Sequence, residues 1–377
     1  MAGGVPSGGR TALTASQARY KEGAVSGLLL KITRERTGRT QAQLAEDLHM
    51  DVTSIQGWET GRRPLIATQT GKLREVRRTL LRLGADPALL VLMDEALDAD
   101  VVLSYALSGP PTPDLGDHPL AGWVVTRNAT HMLAWALTGA IPAAISAICS
   151  PGPHRGPVAD SPLLGVSERR AVFDHMRRAA ELAHRAGEDG ALLRRQALYL
   201  CSYDTATDTG AWLDQMRRLL PTLWRGEWTP FWADQRSVAA SLTRHGDTDA
   251  IHAFIADGMG DLGERANLNY WAYWLGLDPV PQPNDTFMIN RPDGAWDGVA
   301  LLRRLTTRLA PDLGCIDLNV HSVWVLLGSR RGLLVADPHL NDDLADRVTL
   351  LLNSGVISAQ SRAELESVHY GLRSHRM

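Results

Sequence analysis

The chain has 377 residues, 44% of them hydrophobic and 21% charged, with a formal net charge of −3; this allows two or three domains with real cores and excludes both a disordered chain and a basic protein that coats nucleic acid along its whole length. Three cysteines, Cys149, Cys201 and Cys315, odd in number and without metal-ligand spacing, point to neither a disulfide framework nor a zinc site and are consistent with a reducing cytoplasm. The net charge conceals a division, since residues 1–83 hold 14 Lys or Arg against 7 Asp or Glu, a balance of +7, while residues 84–377 hold 25 against 35, a balance of −10.

Residues 1–20 begin MAGGVPSGGR, lack the apolar core of a signal peptide and are expected to be disordered. Leu28, Leu29 and Ile32 then supply the apolar side of a first helix. In residues 39–63, RTQAQLAEDLHMDVTSIQGWETGRR, Thr40 stands as the N-cap of a helix over 41–48 whose apolar face is Ala42, Leu44, Ala45 and Leu48. After a short break at His49-Met50, Asp51 caps a second helix that turns Ile55 and Trp58 inward and Val52, Thr53, Gln56 and Gly57 outward. Gly61, Arg62, Arg63 and Pro64 end it in a positively charged turn. An outward face of small and amide side chains suits a DNA major groove.

Over residues 21–83 the chain resembles the lambda-Cro and phage-repressor-like helix-turn-helix proteins, the XRE family of regulators, through Arg34, Thr40-Gln41, Leu44-Ala45, Ile55, Trp58-Glu59 and Gly61. The resemblance implies that Gln41 touches a phosphate, that Val52, Thr53 and Gln56 lie over base edges, that Arg62 and Arg63 grip the backbone, and that Arg34 pairs with Glu59 inside the domain. Two positions depart from the family's pattern. His49 stands where glycine is usual, which demands a left-handed histidine or a different turn. Gly57 stands where a long polar side chain is common, leaving specificity to Thr53 and Gln56.

Leu73, Val76, Leu80, Leu81 and Leu83 and then the run from Pro87 to Leu107 continue the helical period, so the DNA-binding domain with its connecting helices is expected over 21–107. The proline- and glycine-dense stretch 108–122 reads as a linker, and a second break falls at 149–162. Residues 123–377 are expected to form a helical sensor or dimerisation region. Their helix-length runs are 168–186, 190–203, 210–224, 230–245, 248–257, 263–275, 296–310, 317–328, 338–353 and 358–373. The fold class is therefore all-α, a Cro/repressor-like head followed by a helical bundle or a tetratricopeptide-like α-solenoid. Residues 323–336 admit a β-hairpin, but the spacing of Val320, Val323, Trp324 and Leu327 favours helix. Residues 266–276, ANLNYWAYWLG, resemble a segment of long helical XRE-type regulators of the actinobacterial, high-GC kind.

The apolar stretch 132–149 contains Thr, Ser, Gly and Pro and follows Arg127 and His131, which argues against a membrane span. Tryptophan outnumbers phenylalanine 11 to 4. Trp228, Trp232, Trp271 and Trp274 mark either core packing, the favoured reading, or a region that holds a planar effector. His321, Asp337, His339, Asp342 and Asp343 read as a helix start with aspartate capping rather than a metal cluster, and neither the nucleophile-elbow nor the phosphate-loop motif is present. The sequence thus describes a cytoplasmic, non-enzymatic transcriptional regulator without metal or cofactor. Its expected partners are double-stranded DNA, a second copy of itself and a small-molecule, peptide or protein effector. The alternative is an antitoxin-like or adaptor protein whose helical body binds a partner and whose head autoregulates.

Overall fold

The computed structural model describes residues 22–110, 115–149, 160–221, 228–292, 294–330 and 332–374; the expected disordered N-terminus, residues 1–20, lies outside them. Among the described residues there are nineteen α-helices, one 3-10 turn and no strand. None of these helices is long and apolar enough to cross a membrane.

Two compact units divide the chain, residues 1–119 with 127–178, and residues 120–126 with 179–377. This differs from the expected linker at 108–122 and body from 123. The reason lies in the helices α6 (Arg127–Thr138) and α7 (Ala143–Ile148), which belong by their packing to the first unit. Met132, Leu133 and Trp135 of α6 are buried against α5 (Pro87–Ser108), and Arg36 donates to the Ile148 carbonyl at 2.5 Å.

At the centre of the first unit α1 (Ala24–Arg36) packs on α5, with Val25, Leu29, Leu30 and Ile32 buried. Leu30 rather than Leu28 completes its inner face, since Leu28 is only half-buried. Against α1 lies α3 (Val52–Glu59), on which α2 (Gln41–Asp47) packs; α4 (Thr70–Arg82) buries Val76, Thr79 and Leu80 and leaves Leu81 exposed. The start of α1 has no side-chain cap of its own. Its free N–H groups at Val25 and Ser26 instead donate to Oδ1 and Oδ2 of Asp100, at 2.9 and 3.0 Å, from the middle of α5. Burial pushes the Asp100 carboxyl up to about 7, and the bonds from Ser26 and Val25 offset this only in part.

A carboxyl raised on folding binds its proton more tightly in the native state, so stability falls as pH rises from the unfolded value near 4 to about 7 and is flat above it. A shift of this size corresponds to about 4 kcal/mol. Thermal unfolding across that pH range is expected to show the decline, and Asp100→Asn to flatten it. An unchanged slope in the variant would assign the pH dependence to other groups.

The second unit begins with α8 (Val166–Arg185), within which the division falls, and continues through α9 (Ala191–Cys201), α10 (Thr209–Arg218), α11 (Pro230–Arg244), α12 (Asp249–Gly258), α13 (Asp261–Trp274), α14 (Phe287–Asn290), α15 (Gly298–Thr306), α16 (Ile316–Ser329), α17 (Leu333–Ala336), α18 (Pro338–Ser354) and α19 (Ala359–Ser374). Within 323–336 the residues 323–329 belong to α16 and 333–336 to α17, so helix stands where the hairpin was the alternative. Packing is not confined to sequence neighbours, because α16 meets α12, α13, α15 and α19 and is buried almost along its length. A helix buried on most sides at the centre of others is a bundle core, unlike a solenoid in which each repeat meets only the next. The segment 120–126 is fastened to this unit. Gln196 receives the Val125 N–H at 2.6 Å and donates to the Leu120 carbonyl at 2.7 Å, and the Val124 N–H reaches the Gln282 carbonyl at 2.8 Å.

Candidate nucleic-acid interface

Each short helix of the 41–59 pair starts on a side-chain cap. Thr40 Oγ1 accepts the Gln43 N–H at 3.2 Å while Gln43 Oε1 accepts the Thr40 N–H at 2.9 Å, a reciprocal capping box. Asp51 Oδ1 accepts the Thr53 N–H at 2.7 Å. The Thr53 hydroxyl and N–H together hold the Asp51 carboxyl below its ordinary value.

Between the helices, His49 adopts φ +50°, the sole positive φ of a non-glycine residue among the described residues. The Met50 N–H bonds to the Ala45 carbonyl at 3.0 Å and the His49 N–H to the Glu46 carbonyl at 3.1 Å. That is a Schellman ending with histidine at the left-handed position. The left-handed alternative raised by the sequence is the one adopted. A side chain there costs about 1–2 kcal/mol, partly offset by glycine's greater freedom in the unfolded chain. Since His49 is exposed, His49→Gly is expected to raise stability by about 0.5–1 kcal/mol in urea unfolding. A loss would mean that the imidazole makes a stabilising contact.

The two pieces are locked to α1 by a buried ion pair. Arg34 Nε and Nη2 donate to Oε1 and Oε2 of Glu59 at 2.5 and 3.0 Å, and Nη1 donates to the Arg39 carbonyl at 2.7 Å. The two side chains are only 8% and 2% exposed. Burial works against the charge on Arg34, but the bonds and charge of Glu59 more than offset it and hold the guanidinium above its ordinary value.

Gln41 joins this network, its side-chain amide donating to Glu59 Oε2 at 2.7 Å. The Gln41 amide, expected to touch a phosphate, is here bonded inside the domain, to a lone pair of the carboxylate left over after Arg34 is bound. Close helix approach completes the lock. A Cβ on Gly27 of α1 would lie 2.2 Å from the Trp58 carbonyl oxygen, and one on Gly61, at φ +70°, would lie 2.9 Å from the backbone of Gly23 and Ala24.

With Ile55, Trp58 and Glu59 buried, α3 presents Thr53 exposed and Val52 and Gln56 half-exposed. Arg62 and Arg63 are also exposed. Arg62 makes no hydrogen bond or ion pair among the described residues, whereas Arg63 lies back across α3, its Nη1 3.2 Å from Ser54 Oγ. Gly57 does not face outward as expected, for it is buried beneath this arginine and a Cβ there would meet Arg63 Cδ at 3.0 Å. The glycine makes room for the arginine. Gln43, Ser54 and Gly27 were absent from the sequence-derived set, although Gln43 three residues after Thr40 is a capping-box spacing.

Residues 27–93 match the family of helix-turn-helix domains. The chain carries a helix-turn-helix head. No curated protein and no solved structure is significantly similar to the chain.

Away from the helix-turn-helix head, the tryptophans for which core packing was the favoured reading and an effector region the alternative pack largely into the interior. Trp232 is fully buried against Phe254 with Nε1 donating to the Gly258 carbonyl at 2.8 Å. Trp271 belongs to the core around α16, with Nε1 on Ser322 Oγ at 2.9 Å. Trp274 packs at the edge of that core and stacks on Tyr270, and Trp228 is half-buried. Asp337 caps α18 through the Leu340 N–H at 3.1 Å, and no group of three metal-ligating side chains occurs among the described residues.

Proposed function

We propose that the protein is a sequence-specific DNA-binding transcriptional regulator whose α3 enters the major groove. The observation that carries this reading is the presentation of α3 in a helix-turn-helix domain. Its inner face is fixed by Ile55, Trp58 and the Arg34–Glu59 pair, and its outer row of Val52, Thr53 and Gln56 is open to a partner. A groove of B-DNA accommodates one helix, and an amide side chain such as that of Gln56 matches the paired donor and acceptor of adenine. Arg62 and Arg63 sit at the helix exit, where they meet phosphates; Arg63 does so by leaving Ser54. The +7 charge of residues 1–83 beside the −10 of the remainder supports DNA contact through the head alone, because phosphate neutralisation drives the salt-dependent part of affinity.

The second unit, in this reading, dimerises the chain and receives an effector. A homodimer places two α3 helices on half-sites with centres about 34–36 Å apart. The regulator works in the cytoplasm and carries out no catalytic step.

The test is selection of bound fragments from fragmented genomic DNA by the full chain, beside a Thr53→Ala/Gln56→Ala variant. The expected result is a two-fold motif enriched by the wild type and lost in the variant, with about 1–3 kcal/mol less affinity for the preferred site per contact removed. Equal losses on random DNA would move both residues to the backbone. No enrichment by folded wild-type protein would overturn the reading.

A further inference from the structure

Around Cys315 the second unit gathers more arginine charge than the two neighbouring carboxylates, Asp234 and Asp285, neutralise. Arg194 is paired with Asp234, and Arg195 makes two bonds to Asp285 at 2.9 and 2.6 Å. Three more arginines lie around Cys315 beside them, Arg236 from the middle of α11, Arg244 from its C-terminal end and Arg308 from the loop after α15. Arg236 is 6% exposed, lies over the rings of Tyr270 and Trp271 at 4.2 and 5.1 Å, and has a single side-chain hydrogen bond among the described residues, from Nε to Asn267 Oδ1 at 3.0 Å. Arg308 is half-buried over Trp271 at 5.0 Å, and its Nε has no hydrogen-bond partner. Arg244 is exposed, lies over Tyr203 and Tyr199 at 4.0 and 5.1 Å, and bonds only to the neutral Ser202 Oγ and Tyr199 hydroxyl.

No carboxylate is within ion-pair distance of Arg236, Arg244 or Arg308 among the described residues; Asp234 and Asp285 are engaged by Arg194 and Arg195. Other groups do not supply the missing charge. Burial pushes the Tyr203 and Tyr270 phenols and the Cys315 thiol above their ordinary values, so all three stay neutral near pH 7. A guanidinium does not lose its proton in a protein. Aromatic faces return part of the desolvation cost of such cations, but an anion returns more. Exposure rises from buried Arg236 through half-buried Arg308 to exposed Arg244, so the cluster meets solvent at Arg244.

We propose that Arg236, Arg308 and Arg244 form a binding site in the second unit for a small phosphate-bearing ligand, their planar forks matching phosphate oxygens and their combined charge matching a multiply charged anion. This site stands independently of the DNA-binding reading of the head.

The test uses the full chain and pyrophosphate as probe, by calorimetric titration and thermal unfolding at fixed ionic strength, with chloride and citrate as comparison anions. The expected result is saturable pyrophosphate binding with a higher Tm. Affinity should fall about ten-fold or more in Arg308→Met and in the surface variant Arg244→Met, the loss of a charged hydrogen bond. It should be unchanged in Arg62→Ala/Arg63→Ala, which removes the head as an alternative phosphate site. Absence of binding beyond that of chloride, equal affinity in both arginine variants, or loss in the head variant would overturn the proposal. Preference for citrate over pyrophosphate would overturn the phosphate class.

Discussion

Glu59→Ala is expected to lower the stability of the helix-turn-helix head by about 3–5 kcal/mol, because it strands the buried Arg34 guanidinium without its bidentate partner. The substitution also removes the acceptor of the Gln41 amide, so the start of α2 and the end of α3 lose their shared anchor on α1 together. Whole-domain stabilities are about 5–15 kcal/mol, so a loss of this size leaves the head only partly folded at physiological temperature. Urea unfolding followed by tryptophan fluorescence measures it, since Trp58 neighbours the site. Arg34→Met/Glu59→Leu is the informative companion. Removing both charges leaves no uncompensated ion, so the double variant should be more stable than Glu59→Ala. A near-zero cost for Glu59→Ala would mean that water reaches the guanidinium and that the pair does not hold α3.

The parts of this site that were legible in the sequence are those set by neighbours in the chain. Thr40 and Asp51 cap the helices that follow them, Ile55 and Trp58 turn inward at helical spacing, and Pro230 and Pro338 begin the helices α11 and α18 at their first positions. What escaped is set by approach through space. Asp100 caps α1 from 75 residues away, a bond that no local pattern announces. Gln41 turns to Glu59 because Arg34 does not exhaust the carboxylate, and Gly57 is covered because the left-handed Gly61 turn sends the chain back across α3. The stretch 132–149 was legible as apolar but not as part of the first unit, since its periodicity specifies a buried face and not the helix that covers it. The tryptophans pose the same problem in reverse. Clustering in sequence drew attention to Trp232 and Trp271, whose N–H groups are satisfied inside the core, while the uncompensated arginines beside Trp271 come from separate elements, α11 and the loop after α15.

Gly27→Ala is expected to be the most disruptive single-methyl change in the head. The added Cβ would stand 2.2 Å from the Trp58 carbonyl oxygen and 3.2 Å from the Glu59 backbone, atoms that cannot retreat without moving α3 as a whole. Alanine is the better helix former by about 1 kcal/mol, and that gain opposes the clash. Overpacking of this kind costs about 1–3 kcal/mol and more where backbone must shift, so the clash should win. Its second consequence is functional, because displacing α3 from α1 also stretches the Arg34–Glu59 bonds that orient the outward row. The variant should therefore lose affinity for a selected DNA site by more than its loss of stability explains, measured where the protein is still folded. Gly71→Ala is the control, since a Cβ at Gly71 of α4 meets nothing within 4 Å and the same substitution there should stabilise the head by about 0.5–1 kcal/mol. Opposite signs at the two glycines would locate the effect in the α1–α3 approach. Matching, mild stabilisation at both would mean that α3 is free to slide on α1, and that its position is not what tunes DNA binding.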